Sequence, residues 1–106
     1  MNDGIKKVEL LPTNFVGKGE VKGFVFELER AAPELGVYLY IVMSEWDKYY
    51  EVFKAKEVPI LIDFEKREYS TTHFKHTYPK ANKFGISAFT THDLEKAKEY
   101  FYNFQK

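Results

Sequence analysis

The sequence predicts an α+β fold: a single domain over residues 1–106, built as an antiparallel sheet of four to six strands with one C-terminal amphipathic helix packed on one face. Three observations carry that expectation. Apolar residues alternate with period two across much of the first half of the chain, the signature of half-buried strands. Turn-forming residues separate these stretches at hairpin spacing. At the C-terminus Leu94, Ala97, Phe101 and Phe104 recur at i, i+3, i+7 and i+10, a stripe that only a helix gathers on one side.

Residues 1–19 read as an N-terminal extension and loop, with the glycine-bearing stretch Asn14 to Gly19 feeding the first strong strand. From Val21 to Arg30, Phe24, Phe26 and Leu28 share one face while Glu27 and Glu29 share the other. Pro33 and Gly36 suit a reversal, and Val37 to Met43 follows as a strand apolar on both sides: Val37, Leu39, Ile41 and Met43 on one, Tyr38, Tyr40 and Val42 on the other. Two apolar faces predict a central strand covered at least partly on both. The polar turn Ser44 to Lys48 leads into a hairpin partner, Tyr49 to Ala55. Pro59 marks Val58 to Phe64 as an edge strand or extended loop, because proline donates nothing to a ladder. Residues 66–80 read as a twisted edge hairpin or a long loop. Phe84 to Phe89 reads as the last strand. Thr90 and Thr91 then open a helix over residues 91–104, with Asp93 in its first turn opposing the helix dipole. The expected core is Phe24, Phe26, Leu28, Leu39, Ile41, Phe53, Ile86, Leu94, Ala97 and Phe101.

The chain has 106 residues, with 16 basic and 16 acidic side chains, no Cys and 18% aromatic residues. One such domain buries enough surface to fold on its core, and the aromatic content argues against disorder. Without Cys there is neither a disulfide framework nor a Cys-based zinc site, which suits a reducing compartment and predicts a cytoplasmic location. The start MNDGIKK has no apolar run, so no signal peptide is expected, and no stretch is apolar for long enough to predict a membrane segment. Zero net charge conceals an asymmetry: residues 27–65 carry −5 and residues 66–83 carry +4.

Chemistry-bearing motifs are sparse. His73 and His76 have an H-x-x-H spacing, which converges on a metal in a helix and diverges in a strand; their segment reads as strand or loop, so no metal is expected. There is no Cys nucleophile, no G-x-S-x-G and no glycine-rich phosphate loop, and the pair Glu27 and Glu29 reads as a solvated strand face. The expectation is therefore a binding protein and no enzyme, with no cofactor, no small-molecule substrate and no membrane partner; an enzyme whose pocket would join two of His73, His76 and His92 with a carboxylate ranks third.

Two surfaces compete for that binding role. Tyr38, Tyr40, Trp46, Tyr49 and Tyr50 form a candidate protein-contact face, since Tyr and Trp supply rigid amphipathic area. Its occupant would be a protein partner or a second copy, and edge strands make a homodimer one form of that contact. Lys66, Arg67, Lys75, Tyr78, Lys80 and Lys83 form a candidate nucleic-acid surface, with lysines for phosphates and rings for unpaired bases. The protein-contact reading is placed first, because zero net charge costs the polyanion reading more.

The motifs YYEVFKAK at Tyr49 to Lys56, YPKANKFG at Tyr78 to Gly85 and the helix with Leu94, Ala97 and Phe101 together resemble a group of small proteins encoded by phages and mobile elements of gut bacteria. That group has a Y-E-V-F strand, a Y-P and F-G segment and a closing A-x-x-x-F helix; the resemblance covers roughly residues 20–104. It implies a setting and carries no catalytic residue over. The order of strands closed by a helix is also similar, more loosely, to WGR-type nucleic-acid modules, whose W-G-R triplet this chain lacks.

Overall fold

Alternation along the central strand dictates the architecture, because a strand apolar on both faces must be covered twice. The computed structural model describes residues 6–17 and 22–106; the expected strand start at Val21 and the end of the loop at Gly19 lie outside the described residues. Among the described residues eight strands and one α-helix follow in order: β1 (Lys7–Glu9), β2 (Asn14–Val16), β3 (Val25–Ala32), β4 (Val37–Met43), β5 (Lys48–Lys54), β6 (Lys56–Asp63), β7 (Glu68–Thr77), β8 (Ala88–Thr91) and α1 (Leu94–Asn103). The main sheet is antiparallel with order β2-β3-β4-β5-β8. The fold is α+β, with α1 on one face of this sheet.

A second sheet of order β1-β7-β6 adds one parallel pairing, Lys7 to His73 through Glu9 to Lys75. Residues 66–80, the least legible stretch, thus contain the whole of an ordered strand, β7, and Val58 to Asp63 belong to its edge partner β6, as suits Pro59. Asn14 to Val16 is correspondingly a strand rather than loop, drawn into pairing with Val25 to Glu27.

On the helix face of the main sheet, Ala32, Val37, Leu39 and Val52 pack with Ala97 and Phe101. The Tyr100 ring stacks on Phe89 at 4.6 Å. On the opposite face, Phe26, Tyr38, Tyr40, Val42, Phe53 and Ala88 form an aromatic layer, closed over by Leu11, Tyr78 and Phe84. The chain therefore covers the second face with loop segments instead of a second helix. The sheets join through local contacts such as the Ala55 amide donating to the Gly36 carbonyl at 2.7 Å, and the molecule is elongated, 48 × 31 × 23 Å. Gly36 sits at φ 70°, where a side chain would be strained.

Two local expectations require correction. Asp93 is the N-cap of α1 rather than a first-turn residue, its carboxylate accepting from the amides of Glu95 at 2.9 Å and Lys96 at 3.4 Å, while Thr90 and Thr91 stay in β8. The segment from Phe84 to Ser87 is a turn, not a strand: the amides of Ile86 and Ser87 donate back to the Lys83 carbonyl, and Gly85 adopts φ 94°. Ile86 is consequently thrown outward and is 73% exposed, so it leaves the core list, whereas Phe24, Leu28, Ile41 and Leu94 are half-buried. Denaturant unfolding checks this assignment. Phe53→Ala is expected to cost about 3–5 kcal/mol and Ile86→Ala less than about 0.5 kcal/mol.

Candidate anion-binding groove

Where β5 ends, β6 begins and β7 ends, the two sheets converge with the loop that leads from Tyr78 to Ser87. Between them lies a groove of about 560 Å³, lined by Lys54, Lys56, Val58, Thr77, Tyr78, Pro79, Lys80, Asn82, Lys83 and Ser87. Four lysines and no carboxylate line it. Among the described residues none of those four lysines forms a salt bridge. Strand register adds a fifth cation: Lys56 pairs with Thr77 and Val58 with Lys75, and directly opposed residues share a sheet face, so Lys75 stands on the groove side. Such a concentration of uncompensated ammonium groups in a concave site favours an anion.

The candidate nucleic-acid residues are therefore only partly gathered. Tyr78, Lys80 and Lys83 line the groove, Lys75 extends it, and Lys66 and Arg67 lie apart at the turn between β6 and β7. Lys54 and Lys56 escaped notice because they sit in the acidic half of the sequence. Only strand pairing brings their K-A-K to the basic loop.

Tyr78 does not offer a free stacking ring. It packs edge-on against Phe26 at 5.6 Å and Phe53 at 5.2 Å between ring centroids, and its hydroxyl donates to the Glu51 carboxylate. Glu51 is 1% exposed, and burial pushes its carboxyl up to about 7, opposed by hydrogen bonds from Tyr78 and Tyr49. Burial, with the Glu51 charge beside it, raises the Tyr78 phenol in turn.

Tyr38 and Tyr40 are closed off from solvent, which removes these two from the expected contact surface. Tyr38 is 1% exposed and Tyr40 fully buried, because a central strand is covered on both sides. Tyr40 donates to the Pro12 carbonyl at 2.6 Å. The Tyr38 hydroxyl accepts from the Leu11 amide at 3.2 Å and shares a hydrogen bond with His76 Nδ1 at 2.6 Å. Tyr49 and Tyr50 point to opposite faces of β5, both half-buried, and Trp46 alone is freely presented, 88% exposed on the β4–β5 turn.

The histidines do not converge. His76 is buried against Tyr38 with Nε2 3.7 Å from Glu57, His73 is exposed, and His92 lies 3.1 Å from Asp47 beside a shallow cavity of about 240 Å³. Among the described residues there is no group of three potential metal ligands, and no helix is long and apolar enough to cross a membrane. Compared with protein-family models, curated proteins and solved structures, the chain matches none.

Glu51 predicts a specific pH response. A carboxyl raised on folding binds its proton more tightly in the native state, so stability falls as pH rises from about 4.5 to about 7. The loss is on the order of 3 kcal/mol, complete above the folded value. Denaturation of Glu51→Gln and the parent protein between pH 5 and 8 is expected to show this slope in the parent and its reduction in the variant.

Proposed function

We propose that the protein is a non-enzymatic binder of single-stranded nucleic acid, taking the phosphate backbone into the lysine groove. The observation that carries this reading is the groove itself: Lys54, Lys56, Lys80 and Lys83 converge without a carboxylate among them. Lysine ammonium groups engage phosphates as point charges, and hydroxyl and amide groups such as those of Thr77, Asn82 and Ser87 can add hydrogen bonds that position the strand. A groove of about 560 Å³ suits one extended backbone better than a duplex. With the Tyr78 ring committed to the core, affinity would come from charge more than from base stacking, and sequence preference should be low.

Protein contact remains as a second reading, now supported by one exposed residue. Trp46 projects from a turn held by the Trp46 and Asp47 amides donating to the Ser44 hydroxyl, which presents a rigid aromatic anchor. A contact centred on it would change little with salt.

Fluorescence anisotropy of labelled single-stranded RNA and DNA, at about 50 and about 200 mM salt, separates the two. Four phosphate contacts predict a roughly fiftyfold loss of affinity over that range. The double variant Lys80→Glu/Lys83→Glu is expected to weaken binding and to halve the salt slope. Absence of binding at the lower salt, or indifference to the double variant, would overturn the proposal.

A further inference from the structure

We infer that Glu51 is a positioning residue for the groove: through Tyr78 its buried carboxyl holds the groove wall, and its ionisation makes anion binding weaker in mildly alkaline than in mildly acidic solution. The inference rests on the groove being the binding site. Its geometric basis is the one side chain shared by both features. Tyr78 lines the groove and also donates its hydroxyl to Glu51, a carboxyl nine-tenths buried in the middle of β5. A buried acid hydrogen-bonded to a tyrosine that lines the lysine groove has no evident need for stability. It would be less costly as glutamine in the same hydrogen bond.

The surroundings of Glu51 are almost entirely phenolic. Tyr40 stands opposite it on β4 and Thr90 on β8, Tyr49 precedes it on its own strand and Tyr78 reaches it from the loop. Behind Tyr49 lie His92 and Asp47, which pair with each other, and beyond Tyr38 lies His76, which faces Glu57. Among the described residues no cation makes a salt bridge to Glu51. Its negative charge, when present, is therefore uncompensated and acts on the groove across the apolar ring of Tyr78, which screens it less than water would. A phosphodiester in the groove has behind Tyr78 a neutral carboxyl at low pH and a carboxylate at high pH. By linkage, anion binding favours the protonated form, and protonation favours the anion to the same degree. The value of about 7 to which burial raises Glu51 puts this exchange within the neutral range.

The test is an anisotropy titration of a labelled oligothymidylate at fixed salt between pH 6 and 8.5. Its phosphodiesters and bases keep their charge across that range, so the slope belongs to the protein. The parent is expected to bind about fivefold more weakly at the alkaline end, the effect of one charge acting across an effective dielectric of about 20 with salt screening. In Glu51→Gln the affinity should stay at the acidic-limit value throughout. His76→Asn should retain the slope, which separates Glu51 from the nearest buried histidine. Tyr78→Phe, lacking the hydrogen bond that pulls Glu51 down, should move the inflection to higher pH, an effect that a purely structural role would not produce. A parent that binds with no pH slope, or a slope that survives in Glu51→Gln, would overturn the role of Glu51 while leaving the groove intact. Failure of the parent to bind at any pH would overturn both.

Discussion

A buried tyrosine brings a hydroxyl that must be satisfied, and this protein places two of them on its central strand. Tyr38 and Tyr40 contribute large apolar surface to the sheet core, but leaving either hydroxyl unpaired would cost on the order of 1–3 kcal/mol. The chain answers by bringing Leu11 and Pro12 across the sheet from one side and His76 from the other. Those three contacts hold the N-terminal segment and the end of β7 to the main sheet, and they fix where the second sheet begins. The position of Tyr78, two residues beyond His76, follows from the same requirement. The arrangement of the groove is thus a consequence of how the core disposes of its polar atoms.

The same layer explains why charge is distributed as it is. The acidic middle of the sequence contributes Glu51 to the interior and leaves several other carboxylates exposed on strand faces and turns, away from the lysine groove. The lysines of the groove come from the end of β5, the start of β6, the last part of β7 and a loop, so their proximity is a property of topology and not of local sequence. Whole-chain neutrality is therefore a poor guide to the field at this place. The cost of gathering like charges falls on the folded state, and a bound anion would relieve it.

How much of this could be read from the sequence depends on how local each determinant is. The strands around β4 and the closing helix were legible because alternation and the 3.6-residue stripe are local signals, and β4 was recognisable as central from its two apolar faces. The second sheet was not, since β7 shows little burial of its own and gains its order from partners remote in sequence. Ile86 misled for a similar reason: an apolar residue in a β-like stretch reads as core, and only the turn closed onto Lys83 reveals that it points outward. In the groove, Tyr78, Lys80 and Lys83 were visible as a basic aromatic run, but Lys54 and Lys56 became members only through tertiary pairing. Glu51 gave no sign at all, because in a strand the difference between a solvated and a buried carboxylate lies in what covers it.

The parallel pairing of β1 with β7 has a kinetic meaning. Three residues of ladder are formed by closing the chain from Lys7 to His73, a loop whose entropy must be lost before the contact returns anything. The antiparallel neighbours β3, β4 and β5 need only short connections and can assemble first. The small latch at the N-terminus would then be the last part of the protein to close during folding and the first to open under strain. Opening there would free one edge of β7 while leaving both layers of the main sheet intact.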